Sequence, residues 1–172
     1  MASTTTSRRG ARPKHPAAQP KNCHERALGL LAVRPRARRE LERRLLAAGF
    51  QPDEVADVLV RLERVGLIDD EAFATQMAEY QFTSRRAGRR AVTSALLAKG
   101  IDPELAARAA DEAPDDEQQR AHDLAVTRAG RLRGVEPAKA FARLTSLLVR
   151  RGYAPEIARV AARAALAIEE PD

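Results

Sequence analysis

Adjacent acidic residues are the first candidates for chemistry in this sequence, because two neighbouring carboxylates can act as general acid and general base. Two such pairs occur, Asp69-Asp70 and Asp115-Asp116. A catalytic pair requires that both carboxylates face one substrate and that their environments separate their pKa values. Both pairs lie where a helix is predicted to begin, and acids there commonly bind the first free backbone amides. We therefore interpret both pairs as helix caps.

The histidines and the cysteine do not form a metal-binding or nucleophilic set. His15 lies close to the N-terminus, and Cys23 adjoins His24 without a second ligand pair at the spacing of zinc sites. No glycine-rich phosphate loop and no nucleophile motif is present. We expect no catalytic residue, no metal and no cofactor, and therefore not an enzyme. The single cysteine is typical of a cytoplasmic protein without disulfides.

Clustered arginines are the remaining candidates, and their chemistry is the binding of an anionic partner. Two clusters, within residues 35–39 and 85–90, open predicted helices. Cations in a first helical turn oppose the helix dipole, at a cost of up to about 1 kcal/mol each. We infer that binding, rather than helix stability, accounts for their position. The candidate residues, termed the arginine set, are Arg38, Arg39, Arg85, Arg86, Arg89 and Arg90.

Two alternatives to this interpretation remain open. The arginines could form a solubilising surface that pairs with local acids such as Glu40. They could also bind nucleic acid alone, since lysine and arginine near phosphates suffice for non-specific affinity. Single-strand binders generally add aromatic rings for base stacking, and here most aromatic residues, including Tyr80, occupy predicted core positions. Phe82 has no evident packing place. We expect weak DNA affinity at most.

A pattern that occurs three times positions these arginines. In each copy a pair of apolar residues precedes a glycine at position 49, 100 or 152, an apolar residue follows it, and a proline comes three residues after it. Glycine favours the left-handed conformation that ends a helix, and proline suits the first position of the next helix. Each copy therefore predicts a helix, a tight corner and a second helix. Aligned on the glycines, Arg38 matches Arg89 and Arg39 matches Arg90, whereas Phe141 and Ala142 replace the pair in the third copy.

Apolar residues at helical spacing predict one more helix before each corner motif, over 23–33, 70–83 and 116–131. No segment alternates apolar and polar residues as a strand would. The fold prediction is all-α, an elongated tandem array of three three-helix repeats. If the copies stack, matched positions lie along one side of the molecule, so the arginine set would form a stripe that ends before the third repeat.

Composition and charge agree with a small helical protein. The chain has 172 residues and a net charge of +6, and aromatic residues make up 3%. No apolar run reaches the length of a membrane span. Residues 1–22 lack acids and large aliphatic residues and contain no secretory signal. The predicted organisation is a disordered basic N-terminal arm over 1–22, repeats over 23–66, 67–113 and 114–168, and a C-terminal tail over 169–172.

One string at the start of the second repeat is characteristic of a known family. The residues from Leu67 to Ala74 read Leu-Ile-Asp-Asp-Glu-Ala-Phe-Ala, and Leu-Leu-x-x-Gly-apolar-x-Pro units lie on either side. Over roughly residues 23–168 the chain resembles the RecX family of regulatory proteins.

The resemblance implies a function as well as a tandem helical array. Members of that family bind the RecA recombinase filament on single-stranded DNA and inhibit its ATPase, strand-exchange and coprotease activities. A chain of this kind would modulate recombination, DNA repair and the SOS response. We expect a cytoplasmic monomer that binds RecA filaments, contacts single-stranded DNA weakly or through the filament, and does not bind membranes. The alternative is a DNA-binding regulatory protein that acts without a recombinase partner.

Overall fold

The computed structural model describes residues 22–112 and 116–167, and every regular element in these ranges is a helix. The all-α prediction is confirmed. Residues 1–21 of the predicted arm and the predicted tail lie outside the described residues. The described α-helices are α1 (Cys23–Val33), α2 (Arg38–Ala47), α3 (Pro52–Arg64), α4 (Asp70–Thr83), α5 (Arg89–Lys99), α6 (Pro103–Asp111), α7 (Glu117–Ala129), α8 (Pro137–Arg150) and α9 (Pro155–Leu166), with a short 3-10 turn over Gly130–Leu132 after α7.

The helices group in threes around separate apolar cores. We term α1–α3 the first unit, α4–α6 the second and α7–α9 the third. Leucines dominate the first core, alanines of α4 and α6 the second, and alanines with Tyr153 the third. Many small side chains allow helices to approach closely, which compensates for the few aromatic residues. Within the described residues, no helix has both the length and the apolar character required to cross a membrane.

The three glycine corners have the predicted conformation. Gly49, Gly100 and Gly152 have φ values of +93°, +88° and +91°, in the left-handed region. In each corner the amide of the following residue donates to a carbonyl one turn back in the preceding helix, at N···O distances of 3.2–3.4 Å. Ile101 and Tyr153 are fully buried after their glycines, and a proline begins α3, α6 and α9.

One acid of each pair, Asp69 or Asp116, caps the helix that it precedes, as expected from the sequence. Asp69 Oδ1 accepts a hydrogen bond from the amide of Ala72 at 2.9 Å, and Asp116 Oδ1 accepts from the amide of Gln118 at 2.8 Å. Asp115 lies outside the described residues. Asp70 has a different role, described below, because its carboxylate reaches another unit.

Two aromatic residues of α4 lie differently from the sequence-based expectation. Phe82 is 2% exposed within the second core, and Tyr80, expected inside, is 51% exposed. The reason is that Ala74, Ala78 and Phe82 form the buried side of α4, at i, i+4 and i+8. Phe73 and Met77 also pack against this core at its edge, whereas Tyr80 lies outside it.

Candidate functional site

The arginine set lies where consecutive units meet. The second helices of the first two units, α2 and α5, begin without a capping hydrogen bond from their own N-cap side chain. An acid from the next unit takes this role. The amide of Arg38 donates to Asp70 Oδ1 at 2.8 Å, and the amide of Arg89 donates to Glu117 Oε1 at 2.8 Å. We term this arrangement, in which the following unit caps a helix, the inter-unit cap.

The side chains of the two capped arginines have acidic partners within the chain. Arg38 Nε lies 2.8 Å from Glu63 Oε1. Arg89 Nη1 lies 3.4 Å from Asp111 Oδ1, and its Nε lies 3.9 Å from Glu117 Oε2. Carboxylates at these helix starts offset the unfavourable interaction of the cations with the helix dipole. Arg38 and Arg89 therefore help to join consecutive units through their amides, and their side chains are neutralised by nearby carboxylates.

Arg39 and Arg90 occupy the next position along each helix and are exposed. Neither forms an ion pair within 4 Å with the residues that the structure describes. The stem of Arg39 packs beside Gly100, where an added Cβ would lie 2.5 Å from Arg39 Cβ. The amide of Arg90 donates to the carbonyl of Gly152 at 3.2 Å. Each arginine thus lies beside the glycine corner of the following unit.

Arg85 and Arg86 lie in the segment between α4 and α5, which the third unit holds in place. The carbonyl of Arg85 accepts from Arg151 Nη1 at 2.7 Å, and the carbonyl of Arg86 accepts from the Tyr153 hydroxyl at 3.0 Å. Both arginine side chains are exposed. The guanidinium of Arg85 lies over the Tyr80 ring, 5.8 Å from its centroid.

The second and third units meet through their backbones. The amide of Gly88 donates to the carbonyl of Arg151 at 2.8 Å. A Cβ added at Gly88 would overlap the backbone of Gly152 and Tyr153, and one added at Gly152 would overlap Ala91. Only glycine permits this approach from both sides. The glycine corners therefore turn the chain and also connect one unit to the preceding one.

The third unit lacks an inter-unit cap on its second helix. Helix α8 is capped by its own Glu136, whose Oε1 accepts from the amide of Ala138 at 2.9 Å and whose Oε2 accepts from the amide of Lys139 at 3.1 Å. Phe141, which replaces the first arginine of the pair, packs against the third core. Helix α8 thus lacks both the inter-unit cap and the arginine pair that α2 and α5 have.

Beside the first junction lies the buried carboxylate of Glu40. From the sequence, Glu40 was expected only as a local acid that could pair with the arginine set. Glu40 on α2 is 6% exposed. It is paired with Arg34, with Arg36 Nη1 at 2.6 Å, with Arg44 Nε at 3.2 Å and, from the second unit, with Lys99 Nζ at 3.4 Å. We term these five residues the Glu40 cluster. The spacing of Arg36 and Arg44 from Glu40 is visible in the sequence, but the approach of Lys99 is not.

The charge state of Glu40 follows from its partners. Burial raises the pKa of the Glu40 carboxyl, but hydrogen bonds from Arg34 and Arg36 and the charge of Lys99 outweigh it and lower the pKa to about 2. Glu40 is therefore ionised at neutral pH. We assign Glu40 a role in stabilising the fold, because the surrounding cations shield its carboxylate from solvent and from any partner.

Residues with potential for metal binding or nucleophilic chemistry do not assemble. In residues 22–112 and 116–167, no three residues of the His, Cys, Asp and Glu types form a group that could hold a metal ion. The Cys23 side chain is fully buried. Burial, and then the charge of Glu54, raise the pKa of its thiol, so it stays protonated at neutral pH.

Comparison with known proteins gives the family. The model of the first three-helix domain of RecX matches residues 23–62, and the model of the second three-helix domain matches residues 69–109. The regulatory protein RecX of Mycolicibacterium smegmatis is 44% identical over 73% of this chain and 70% of that protein. RecX of Amycolatopsis mediterranei is 37% identical over 77% of both chains, and RecX of Streptomyces coelicolor is 32% identical over 99% of this chain and 89% of that protein.

Solved structures agree with the fold. The crystal structure of RecX from Lactobacillus salivarius superposes with a TM-score of 0.75, at 21% sequence identity, over 85% of this chain and 96% of that one. A second crystal structure of a regulatory protein RecX gives a TM-score of 0.73 over 81% of this chain and 70% of that one. The family models and the sequence identity to curated relatives lead to one assignment, and the chain belongs to the RecX family of regulatory proteins.

Proposed function

We propose that this chain binds the RecA recombinase filament on single-stranded DNA in the cytoplasm and inhibits its ATPase, strand-exchange and coprotease activities. The observation that carries the proposal is the repeated placement of Arg39 and Arg90, exposed beside successive unit junctions. Equivalent positions of stacked repeats lie along one side of a molecule. A filament likewise presents its acidic groups and DNA phosphates at regular intervals, so repeated cations can contact repeated anions.

The arginine set contains residues that would contact the partner and residues that stabilise the unit junctions. Arg39, Arg85, Arg86 and Arg90 are exposed and would face the anionic partner. Arg38 and Arg89 lie at the same junctions, are less exposed and have acidic partners within the chain. Since contacts between units hold the helix starts that carry these cations, we take the surface to be formed before binding. A preformed surface avoids part of the entropy cost of association.

Inhibition would follow from preferential binding rather than from chemistry. A ligand shifts an equilibrium only by its difference in affinity for the two states. If the chain binds one nucleotide state of the filament more tightly, the filament stays longer in that state and ATP turnover falls. No step requires a catalytic residue of this chain.

Direct single-strand binding without a recombinase has less support. Phe82, the aromatic residue that could have stacked on a base, is buried in the second core. Among the residues that the structure describes, Tyr80 is the one aromatic side chain with large exposure. Single-strand binders commonly use several such rings.

Reversing the charge of the exposed pair tests the proposal. In the double variant Arg39→Glu/Arg90→Glu, glutamates replace cations in a first helical turn, where negative charge favours the helix. We therefore expect unchanged helicity and a half-inhibitory concentration raised about 10- to 100-fold, since like charges then face each other. The measurement is single-strand-dependent ATP hydrolysis by RecA with substoichiometric amounts of each protein.

A charge-matched variant gives the control. Arg26→Glu/Arg131→Glu changes the net charge by the same amount at two exposed arginines away from the junctions, and it should inhibit like the unaltered protein. If the unaltered protein leaves ATP hydrolysis unchanged, the proposed function is wrong. If it inhibits and the Arg39→Glu/Arg90→Glu protein inhibits equally well, the role given to these arginines is wrong.

A further inference from the structure

The second residue of each apolar pair in the repeated motif faces outward. Leu46, Leu97 and Val149 are 40%, 44% and 42% exposed. The residue before each of them is fully buried in the core of its own unit. Core packing therefore accounts for the first apolar residue of the pair, and it leaves the second without a structural reason.

These residues share a helix face with the exposed arginines. Residues at i, i+4 and i+7 lie on the same side of an α-helix. The face, termed the second-helix face, consists of Arg39, Arg43 and Leu46 on α2, Arg90, Ser94 and Leu97 on α5, and Ala142, Ser146 and Val149 on α8, and all nine residues are exposed. None of the nine residues is an acid, and Glu42 borders them on α2. In the first two units it is cationic at the start of the helix and apolar towards its end.

Repetition distinguishes this face from ordinary surface. Single exposed aliphatic residues are common on proteins and need no explanation. Here the same position is aliphatic and exposed to nearly the same extent in all three units, at sequence intervals of 51 and 52 residues. The glycine corner three residues later does not require it, because the corner is closed by backbone hydrogen bonds and by the apolar residue that follows the glycine.

We infer that the second-helix face docks on a protein surface in which aliphatic contacts are flanked by carboxylates, repeated on successive subunits of a filament. This inference rests on the proposed function and names the chemistry of the partner surface. Arg39, Arg43 and Arg90 form no ion pair within 4 Å with the residues that the structure describes. Exposed cations of this kind favour carboxylates opposite them. Leucine and valine side chains have no charge or hydrogen-bond donor that could bind a phosphate. Their presence on this face therefore favours a protein over nucleic acid as the partner. Identical subunits in a row supply the repetition that three equivalent helices can match.

A triple variant tests the inference. Leu46→Ser/Leu97→Ser/Val149→Ser removes the aliphatic groups but leaves every arginine in place. Each half-exposed aliphatic side chain that becomes buried on binding accounts for about fivefold in affinity. We expect each single variant to bind about fivefold more weakly and the triple variant about 100-fold more weakly. The measurement is binding to RecA filaments assembled on single-stranded DNA, with bare single-stranded DNA in parallel.

The control removes aliphatic groups elsewhere that are more exposed than those of the face. Val60→Ser/Val126→Ser/Val160→Ser changes three exposed valines that lie off the second-helix face, and it should bind filaments normally. Thermal unfolding followed by circular dichroism establishes that each variant is folded. Loss of filament binding in the face variant, with normal binding of the control variant and unchanged affinity for bare DNA, supports the inference.

Two outcomes would overturn it. If the unaltered protein binds filaments and the face variant binds them equally well, the inference is wrong while the proposed function stands. If the face variant loses affinity for bare DNA and for filaments to the same extent, the face contacts nucleic acid and the protein partner is excluded. Failure of the unaltered protein to bind filaments would instead reject the proposed function.

Discussion

Replacing Gly152 by alanine is expected to destabilise the protein by roughly 2–5 kcal/mol. Part of this cost, about 1–2 kcal/mol, comes from placing a side chain on a left-handed residue. The remainder, about 1–3 kcal/mol, comes from the overlap of the new Cβ with Ala91 on α5, including its backbone nitrogen. Moving apart would break the hydrogen bonds that join the second and third units. Urea denaturation followed by circular dichroism measures the change in the free energy of unfolding.

The same motif supplies the matched control for this prediction. Gly49 has the same left-handed backbone, with φ of +93°, but nothing lies within 4 Å of an added Cβ. Gly49→Ala should therefore cost only the conformational part, about 1–2 kcal/mol. Gly100→Ala should cost more than Gly49→Ala, because its added Cβ would lie 2.5 Å from Arg39 Cβ, which is fixed to the backbone of α2. Equal destabilisation by Gly49→Ala and Gly152→Ala would show that the corners do not join the units.

Replacing Glu40 by glutamine should destabilise the protein by about 3–5 kcal/mol, the usual cost of removing one partner from a buried ion pair. Four cations, from Arg34, Arg36, Arg44 and Lys99, would then face each other without a carboxylate, and the side chain of Arg36 is only 6% exposed. Glu42→Gln on the same helix removes the same charge outside the cluster and should change stability little. Comparable effects of the two substitutions in urea denaturation would contradict the structural role of the cluster.

The Glu40 cluster also predicts a pH dependence of stability. The folded-state pKa of Glu40 is lowered from 4.5 to about 2. A lowered pKa means that the ionised form stabilises the fold, so the contribution is complete above pH 4.5 and is lost as the pH falls towards 2. The shift corresponds to about 3 kcal/mol. The stability difference between the unaltered protein and Glu40→Gln should therefore narrow between pH 5 and pH 2.5, while the difference from Glu42→Gln stays small. A constant difference across this range would assign the stabilisation to packing instead of charge.

The sequence predicts the helices and corners because their determinants are local. A left-handed glycine, an apolar residue after it and a proline three residues later each act on their immediate neighbours. Asp69 likewise caps the helix that it precedes. Such features depend on a few consecutive residues, and the structure has them in the predicted places.

The junctions could not be predicted because their partners are distant in the sequence. The amide of Arg38 binds Asp70, and Glu40 pairs with Lys99 of the following unit. The acid that starts the first helix of each following unit is visible in the sequence, but its contact with the preceding unit depends on how the units stack. In α4 the prediction was wrong for Tyr80, because small alanines give a weaker periodic signal than aromatic residues, whereas Phe73 and Met77 pack against the second core as predicted. The role of the arginine set stays a prediction.

The cap that Glu136 gives to α8 has a consequence for contacts between separate molecules. The joint between units is directional, since the corners at Gly100 and Gly152 meet the second helix of the preceding unit, and nothing lies within 4 Å of a Cβ added at Gly49. A directional joint of this kind can in principle link separate molecules head to tail into an open-ended polymer. Because Glu136 already binds the first amides of α8, a carboxylate from another molecule finds no donor there. Helix α8 therefore cannot take an inter-unit cap of the kind that α2 and α5 have.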